Sequence, residues 1–249
     1  MPKNSFTFKQ FTINQDLCAM KVCTDACVFG ASTEVENVNR ILDIGTGTGL
    51  LSLMLAQRTN AQIDSVEIDR DAYQQAVMNV KVSKFAEKIK VYHQRIQNFE
   101  STKNYDLIIS NPPFYQQSLK STDTKSNKAL HAVELSFDDL IDSVLRFLSI
   151  DGKFTVLLPP FEIEKLIKIA QKKGLYLSNK MSIRHDESKP IFRVIATFLT
   201  QKVKDLQEKT LIIHNEDGRT YSIEFRDLLK DYYLAPLTPR GGTSTHSQK

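Results

Sequence analysis

From residue 40 onward, the sequence alternates short apolar runs with segments that have the periodicity of amphipathic helices. The apolar runs predict strands over residues 41–44, 63–67, 90–93, 105–110 and 152–158. The polar-apolar segments predict helices over residues 50–58, 71–83, 137–148 and 162–173, the third of them capped by Ser136. Strands that alternate with helices are typical of an α/β fold with a mostly parallel sheet.

The C-terminal third departs from this alternation. Residues 175–184 and 191–199 are strand-like with no helix between them, so we expect them to pair antiparallel. Asp217-Gly218 is a hairpin signal. The elements predicted around it are strands over residues 211–214 and 221–225, followed by a short helix over residues 227–233.

The chain is predicted to hold one main domain over residues 36–235. An N-terminal segment, residues 1–35, precedes the sheet and is dense in Phe, Lys and Gln. The tail over residues 236–249 is rich in Thr, Ser and Gly and is predicted to be disordered. Residues 116–132 form a polar loop after the fourth strand, and long loops in compact domains tend to be functional or disordered.

Composition and charge point to a cytoplasmic protein. The formal net charge is +4, with 33 basic and 29 acidic residues, which permits a polyanionic partner without requiring one. No apolar stretch approaches the roughly 20 residues that a membrane span needs, and the first residues lack the apolar core of a signal peptide. We therefore expect a cytoplasmic location and no membrane partner.

The cysteines and histidines do not suggest a metal site. Cys18, Cys23 and Cys27 lack the Cys-x-x-Cys spacing, and the five histidines are scattered singly along the chain. We expect free, partly buried thiols and no bound metal.

The first strand ends in a glycine-rich turn, Asp43-Ile44-Gly45-Thr46-Gly47-Thr48-Gly49, which also opens the first helix. Glycines allow a tight turn and a close approach to a ligand, and a helix N-terminus offers unpaired N–H groups. Glu67 ends the next strand, 18 residues after Gly49, where a carboxylate can accept both hydroxyls of a ribose. Together these features predict an adenosine-containing cofactor.

The spacing of the glycines separates the candidate cofactors. The dinucleotide pattern G-x-G-x-x-G fails here, because its third glycine falls on Leu50 or Ser52, and no Walker Gly-Lys-Ser/Thr follows. The pattern D-x-G-x-G-x-G resembles motif I of the class I S-adenosylmethionine-dependent methyltransferases. That resemblance implies a Rossmann-like fold with a seven-stranded, mostly parallel sheet and a terminal antiparallel hairpin. It also implies S-adenosylmethionine as the cofactor, with its ammonium served by Asp43 and its ribose held by Glu67.

Asn111-Pro112-Pro113-Phe114 follows the fourth predicted strand directly. Two prolines stiffen the turn and remove two backbone donors, so an Asn side-chain oxygen and a proline carbonyl can accept both hydrogens of one NH₂ group. The ring of Phe114 can stack on the planar system that carries this amine. Positioning and electrostatics suffice for methyl transfer from a sulfonium, which is already a strong electrophile. The tetrapeptide resembles motif IV of amino-group methyltransferases.

Further segments narrow the resemblance to one family. Five segments resemble the bacterial tRNA1(Val) adenine-N(6)-methyltransferases: Phe8-Lys9-Gln10-Phe11, residues 18–25, residues 53–58, residues 108–117 and Tyr232-Tyr233-Leu234. The family methylates N6 of the adenosine on the 3′ side of the anticodon in a valine tRNA. The resemblance implies the catalytic residues Asn111, Pro112, Pro113 and Phe114. It implies the cofactor-binding residues Asp43, Gly45, Thr46, Gly47, Glu67, Ile68, Ile96, Asn111, Lys21 and Asp25.

The sequence departs from the family pattern at a few positions. Cys23 and Ala26 replace glycines near Lys21, in the N-terminal segment expected to close over the substrate and cofactor. Arg95 stands where family members usually carry an Asp that accepts from the cofactor's adenine amine. The backbone of Ile96 could still contact that adenine.

Basic and aromatic residues suggest how a tRNA could bind. The candidates for a positive rim are Lys9, Lys21, Lys120, Lys125, Lys128, Lys189 and Arg193. The candidates for stacking on bases are Phe6, Phe8 and Phe11.

Three other functions are compatible with parts of the sequence. Asn-Pro-Pro-Phe also occurs in guanine-N(2) methyltransferases of ribosomal RNA, although these often carry a second domain for which this chain has no room. Methylation of a glutamine in a release factor fits less well, because only 42 residues precede Asp43. An inactive scaffold that only binds RNA is the third alternative, favoured by Arg95 and opposed by the intact residues 111–114.

Overall fold

The computed structural model describes residues 4–18, 21–113 and 135–234. A small hairpin of β1 (Ser5–Thr7) and β2 (Thr12–Asn14) precedes the main domain. The strands of the main sheet are β3 (Arg40–Ile44), β4 (Gln62–Glu67), β5 (Ile89–His93), β6 (Tyr105–Ser110), β7 (Leu148–Leu158), β8 (Tyr176–Arg184), β9 (Ile191–Leu199) and β10 (Gln207–Ile212). The α-helices of the described residues are α1 (Thr24–Ser32), α2 (Leu50–Ala56), α3 (Arg70–Lys81), α4 (Phe137–Phe147), α5 (Pro160–Lys172) and α6 (Ile223–Leu229).

The described residues form one eight-stranded sheet in the order β10-β8-β9-β7-β6-β3-β4-β5. The five strands from β5 to β7 in this order run parallel, and β9 runs antiparallel to both of its neighbours. The predicted α/β class with a mostly parallel sheet is confirmed, as is the antiparallel pairing of residues 175–184 with 191–199. The sheet has eight strands instead of the predicted seven, because β10 adds to β8 in parallel.

The predicted hairpin around Asp217-Gly218 is only partly correct. The turn exists, since the Asp217 carboxylate accepts from the N–H groups of Arg219 and Thr220, both at 2.8 Å. The second strand is wrong: His214 and Tyr221 form a single bridge, and α6 begins at residue 223. A helix forms there because the Ser222 hydroxyl caps the N–H of Phe225 at 3.1 Å, and the buried side chains of α6 recur at helical spacing. The helix predicted over residues 227–233 therefore lies earlier in the chain.

Two apolar layers cover the faces of the sheet. Successive residues of β3 point to opposite faces, so Ile41 joins one layer and Leu42 the other. Helices α1, α2 and α6 pack with the first layer, and α4 and α5 pack with the second. No helix among the described residues is long and apolar enough to cross a membrane.

The aromatic side chains of the N-terminal segment belong to the core. Phe8 is 2% exposed and Phe11 is 6% exposed, and their rings stack with centroids 4.7 Å apart. Phe6 is partly buried against the same cluster. The prediction that Phe8 and Phe11 stack on nucleotide bases is therefore wrong, because the β1–β2 hairpin buries both rings against the first apolar layer.

Candidate active site

The parallel strands β3 to β7 end together at one edge of the sheet, which we call the carboxyl edge. Ligands of open α/β sheets bind in the crevice beyond this edge. The glycine-rich turn begins there, and its three glycines, Gly45, Gly47 and Gly49, have positive φ angles of 74°, 59° and 82°. A side chain would strain the backbone at each of them. A Cβ atom at Gly45 or Gly47 would meet nothing within 4 Å, so open space borders the turn.

Asp43 lies beneath the turn and is fully buried. Its Oδ2 accepts from the hydroxyls of Thr46, at 2.6 Å, and Ser52, at 2.7 Å, and these bonds fix the shape of the turn. Its Oδ1 is buried without a hydrogen-bond partner among the described residues. Burial raises the pKa of Asp43 to about 6. The ionised carboxylate is therefore poorly compensated, and a cation above the turn would stabilise it.

Glu67 ends β4 and reaches the same turn. Its Oε2 accepts from the N–H of Gly47 at 2.8 Å, and its Oε1 accepts from the N–H groups of Ile68 and Asp69, each at 2.9 Å. Three of roughly four acceptor positions on the carboxylate are thus directed at backbone. Ile68 follows at the carboxyl edge and is 37% exposed. Glu67, Ile68 and Gly47 are thereby brought together at the carboxyl edge.

Asn111, Pro112 and Pro113 follow β6 at the same edge. The parallel pairing of Ile44 with Ser110 places Gly45 and Asn111 one residue beyond a hydrogen-bonded pair of strands. The Ser110 hydroxyl fixes this register by donating to the carbonyl of Ile44 at 2.8 Å. Pro112 is buried and Asn111 is partly exposed. Phe114, the last residue of the predicted catalytic set, lies outside the described residues.

Comparison with known proteins identifies the family of the chain. The model of the family described as "Methyltransferase small domain" matches residues 22–157. A tRNA1(Val) (adenine(37)-N6)-methyltransferase of Dyadobacter fermentans is 48% identical over 238 residues, covering 94% of this chain and 99% of that protein. The enzyme of the same name from Tolumonas auensis is 42% identical and covers 94% of this chain and 98% of its own length. The chain belongs to the tRNA1(Val) (adenine(37)-N6)-methyltransferase family.

Solved structures of other methyltransferases share the fold of this family member. A predicted O-methyltransferase from Agrobacterium tumefaciens superposes with a TM-score of 0.62 at 17% identity, covering 83% of this chain and 96% of that one. A putative class I S-adenosylmethionine-dependent methyltransferase from Listeria monocytogenes gives a TM-score of 0.55 at 15% identity, covering 81% and 67%. The Rossmann-like class I methyltransferase fold predicted from the sequence is confirmed.

In this member of the tRNA1(Val) (adenine(37)-N6)-methyltransferase family, the segment after β5 is fixed beside Glu67. Ile96 is 4% exposed and begins a short 3₁₀ helix for which Arg95 is the N-cap residue. The guanidinium of Arg146 in α4 donates to the carbonyls of Ile96, at 2.9 Å, and Phe99, at 2.8 Å. Arg146 is a positioning residue that the sequence analysis missed, because its partners lie about fifty positions away.

The N-terminal segment is attached to the glycine-rich turn through α3. The side chain of Asn79 is buried; its Oδ1 accepts from the N–H of Asn14 at 2.9 Å, and its Nδ2 donates to the carbonyls of Asn14 and Thr48. Lys21 Nζ donates to the carbonyl of Gln15. The segment that holds Lys21 thus lies against the helix that packs on the turn, which is compatible with the predicted closing role.

Asp25 lies in the first turn of α1 and is 9% exposed. Its Oδ2 is 2.8 Å from Nε of Arg193 at the start of β9, so the pair joins the N-terminal segment to the sheet. Arg193 was predicted to contact RNA, whereas here it pairs with a carboxylate. Of the other rim candidates, Lys9 Nζ donates to the carbonyl of Lys230 at 2.5 Å, and Lys189 is exposed. Lys120, Lys125 and Lys128 lie outside the described residues.

Cys18, Cys23 and Cys27 form no disulfide. Cys18 and Cys27 are buried and Cys23 is partly buried. Burial raises the pKa values of Cys23 and Cys27 to about 12, so both stay protonated at neutral pH. Across residues 4–18, 21–113 and 135–234, no group of three His, Cys, Asp or Glu side chains could hold a metal ion.

Proposed function

We propose that the chain transfers a methyl group from S-adenosylmethionine to N6 of adenosine 37 in tRNA1(Val). The observation that carries the proposal is the adjacency of Gly45 and Asn111, at the ends of two strands paired through Ile44 and Ser110. A glycine-rich turn suited to an adenosine cofactor and an amine-gripping Asn-Pro are thereby side by side. The names of the relatives, which cover nearly the whole chain, supply the nucleoside and the tRNA.

The residues at the carboxyl edge fit S-adenosylmethionine. The unpartnered Oδ1 of Asp43 favours a cationic ligand, and the open space beside Gly45 and Gly47 leaves room for one. We infer that Glu67 holds the ribose through its one remaining acceptor position, so it accepts from one ribose hydroxyl and not from both. We also infer that Ile96 borders the adenine, with Lys21 and Asp25 in the segment that closes the site. When bound, S-adenosylmethionine supplies a methyl group on an electrophilic sulfonium.

The chain's own contribution is to hold and orient the amine. The side-chain oxygen of Asn111 and the carbonyl of Pro112 accept the two hydrogens of the N6 amine, directing its lone pair away from the ring. The backbone that carries both acceptors is fixed, because Pro112 is buried and the preceding Ser110 is tied to β3. Acceptors held in this way stabilise the positive charge that develops on the nitrogen during attack. The sulfonium would leave as a neutral thioether, and the methylated nitrogen would lose one of its two protons to solvent. Stacking of the adenine on Phe114 completes the proposed grip.

The valine isoacceptor and a cytoplasmic location are parts of the same proposal. Adenosine 37 lies in the anticodon loop, where unstacking a base costs less than opening a duplex. The location follows from the substrate, because tRNA is used in the cytoplasm.

The test is methyl transfer from labelled S-adenosylmethionine to an unmodified tRNA1(Val) transcript. We expect N6-methyladenosine in the digested product, and no transfer to a transcript with guanosine at position 37. Asn111→Ala is expected to lower kcat by about 10²–10³-fold, since one fixed polar partner of the transition state is lost. The matched control is Asn104→Ala, an exposed Asn just before the other end of β6, which should leave kcat unchanged.

Two results would contradict the proposal. N2-methylguanosine in the product would show that the chain methylates a guanine amine and not the N6 amine of adenosine. Wild-type kcat in Asn111→Ala would show that the amine is not held by this residue. Thermal unfolding of both variants checks that the fold is retained.

A further inference from the structure

A second Pro-Pro-Phe sequence ends the strand next to the proposed amine grip. Pro159-Pro160-Phe161 follows β7, as residues 112–114 follow β6. The two strands are paired in parallel, with Ser110 opposite Val156. Phe161 is five residues beyond Val156, which limits the separation along the chain to roughly 17 Å. Phe161 therefore lies at the carboxyl edge, one strand away from Asn111.

The ring of Phe161 is exposed on a rigid support. Phe161 is 67% exposed, which is high for a large aromatic side chain. It lies in the first turn of α5, whose N-terminus is fixed by Pro159 as the cap residue and Pro160 in the first helical position. Three side chains of α5 are fully buried under the helix, namely Ile163, Leu166 and Ala170. A ring held in this way loses little conformational freedom when a ligand stacks on it.

A lysine accompanies the ring. Lys165 Nζ is 4.0 Å from the ring centroid of Phe161, one helical turn along α5. Lys165 makes no ion pair with any residue in the described parts of the chain, whereas the neighbouring Glu164 lies 3.6 Å from Lys180 Nζ. The ammonium lies over one face of an exposed ring, so a base would stack on the other face. An exposed aromatic ring with a neighbouring ammonium is the combination with which proteins bind single-stranded nucleic acid, by base stacking and phosphate contact.

We infer that Phe161 and Lys165 form a nucleotide-binding site for the anticodon loop, outside the proposed amine grip. A base that flanks the target adenosine stacks on Phe161, and its phosphate pairs with Lys165. This inference rests on the proposed function, since it assumes that the target adenosine enters at Asn111. It explains why a large ring is left exposed next to the strand that carries the amine grip.

The experiment measures binding of an unmodified tRNA1(Val) transcript together with the kinetics of methyl transfer. Phe161→Ala is expected to weaken tRNA binding and raise the KM for tRNA by about 5- to 150-fold, the range for losing one stacked base. The KM for S-adenosylmethionine and kcat at saturating tRNA should stay at wild-type values. Phe161→Tyr should restore binding, because it keeps the ring, and Phe161→Leu should not.

The chain offers a matched control for each residue. Ile150 is 78% exposed near the opposite end of β7, so Ile150→Ala removes an exposed apolar side chain away from the carboxyl edge and should leave tRNA binding unchanged. Lys165→Ala should reduce the slope of log affinity against log salt by about 0.7, as expected for one lost phosphate contact on a single strand. Lys168→Ala, an exposed lysine further along α5, should change it by less.

The possible failures are distinguishable. If Phe161→Ala binds and methylates tRNA like the wild type, the inference is overturned while the proposed function stands. If Phe161→Ala changes the sedimentation behaviour of the protein but not its affinity for tRNA, the ring is a contact between copies of the chain, which also overturns the inference. If the wild type transfers no methyl group to any tRNA, the proposed function fails, and direct tRNA binding by Phe161→Ala still tests the site.

Discussion

Asp43 combines complete burial with an incomplete set of partners. Burial raises its pKa from 3.8 to about 6, so ionising it costs more free energy in the folded chain than in the unfolded one. The protonated carboxyl therefore contributes stability that is fully present below about pH 4 and is lost as the pH rises through about 6. The free energy of unfolding of the folded chain is therefore about 3 kcal/mol lower at neutral pH than it would be with the carboxyl protonated.

We predict that Asp43→Asn removes this pH dependence. The free energy of unfolding of the variant, minus that of the wild type, should increase by about 2 kcal/mol between pH 4 and pH 7, because the unfolded carboxyl is already more than half ionised at pH 4. Urea unfolding at several pH values measures this difference in the free energy of unfolding. The control is Asp205→Asn at an exposed position, which should show no such trend with pH. The same variant should bind S-adenosylmethionine more weakly at neutral pH, because the charge beneath the turn is gone. Parallel pH profiles for variant and wild type would contradict the prediction.

At the scale of elements, local signals predicted the central strand β6 and the cap of α4 better than the strand at the sheet edge. The bounds of β6 agree with the prediction, because its apolar run is buried on both faces. The predicted cap of α4 is also present, with Ser136 accepting from the N–H of Asp139 at 3.1 Å. The start of β10 was missed, since residues 207–210 are exposed at the sheet edge and carry no apolar alternation. Such a strand exists only because β8 offers it hydrogen bonds, which a sequence pattern does not show.

The residues that position the site could not be assigned from local patterns. Asn79 contacts residues 14 and 48, and Arg146 contacts the segment after β5, so each role depends on how distant elements pack. One signal was available for Asn79. It lies three positions after Ala76 and just before Val80, so helical spacing places it beside apolar residues on the buried face of α3. A polar side chain on a buried face needs partners, and here these are backbone groups of the site.

We predict that Asn79→Ala destabilises the fold and loosens the N-terminal segment. The substitution removes three hydrogen bonds and leaves partly buried backbone groups of Asn14 and the buried carbonyl of Thr48 without partners, which costs about 2–4 kcal/mol. Hydrogen exchange should speed up most at residues 12–18. Met78→Ala, a half-exposed neighbour on the same helix, is the control and should leave this exchange unchanged. Equal protection of residues 12–18 from hydrogen exchange in Asn79→Ala and wild type would show that Asn79 does not hold the N-terminal segment in place.

The carboxylates of Asp43 and Asp64, at opposite edges of the sheet, differ in how completely their oxygens are paired. At the edge opposite the carboxyl edge, a cavity of about 990 Å³ is lined by the Asp64 network. Both oxygens of Asp64 have partners there, from Arg40 at 2.9 Å, Tyr92 at 3.1 Å and Tyr105 at 2.8 Å. At the carboxyl edge, Asp43 keeps an unpartnered oxygen. A buried carboxylate oxygen left without a donor beside open space favours a cationic ligand, whereas the Asp64 carboxylate already has a guanidinium and two hydroxyls as partners.

The N-terminal segment is joined to the sheet by two ion pairs of contrasting burial. Asp25 and Arg193 are 2.8 Å apart with side chains 11% and 23% exposed, and Glu34 and Lys153 are 2.6 Å apart with side chains 62% and 39% exposed. Breaking a buried pair leaves a charge without compensation, whereas an exposed pair contributes little. The connection between the N-terminal segment and the carboxyl edge should therefore depend on the buried pair.

We predict that Arg193→Gln lowers the free energy of unfolding by about 3 kcal/mol, because the buried carboxylate of Asp25 loses its cation. Lys153→Gln should lower it by less than about 1 kcal/mol. Adding Asp25→Asn to Arg193→Gln should recover part of the loss, since no uncompensated charge remains, and denaturant unfolding of the full double-mutant cycle measures this coupling. Additive effects of the two substitutions would mean that the pair does not hold the N-terminal segment to the sheet.

A raised KM for S-adenosylmethionine in Arg193→Gln, absent in Lys153→Gln, would connect this attachment to closure of the cofactor site.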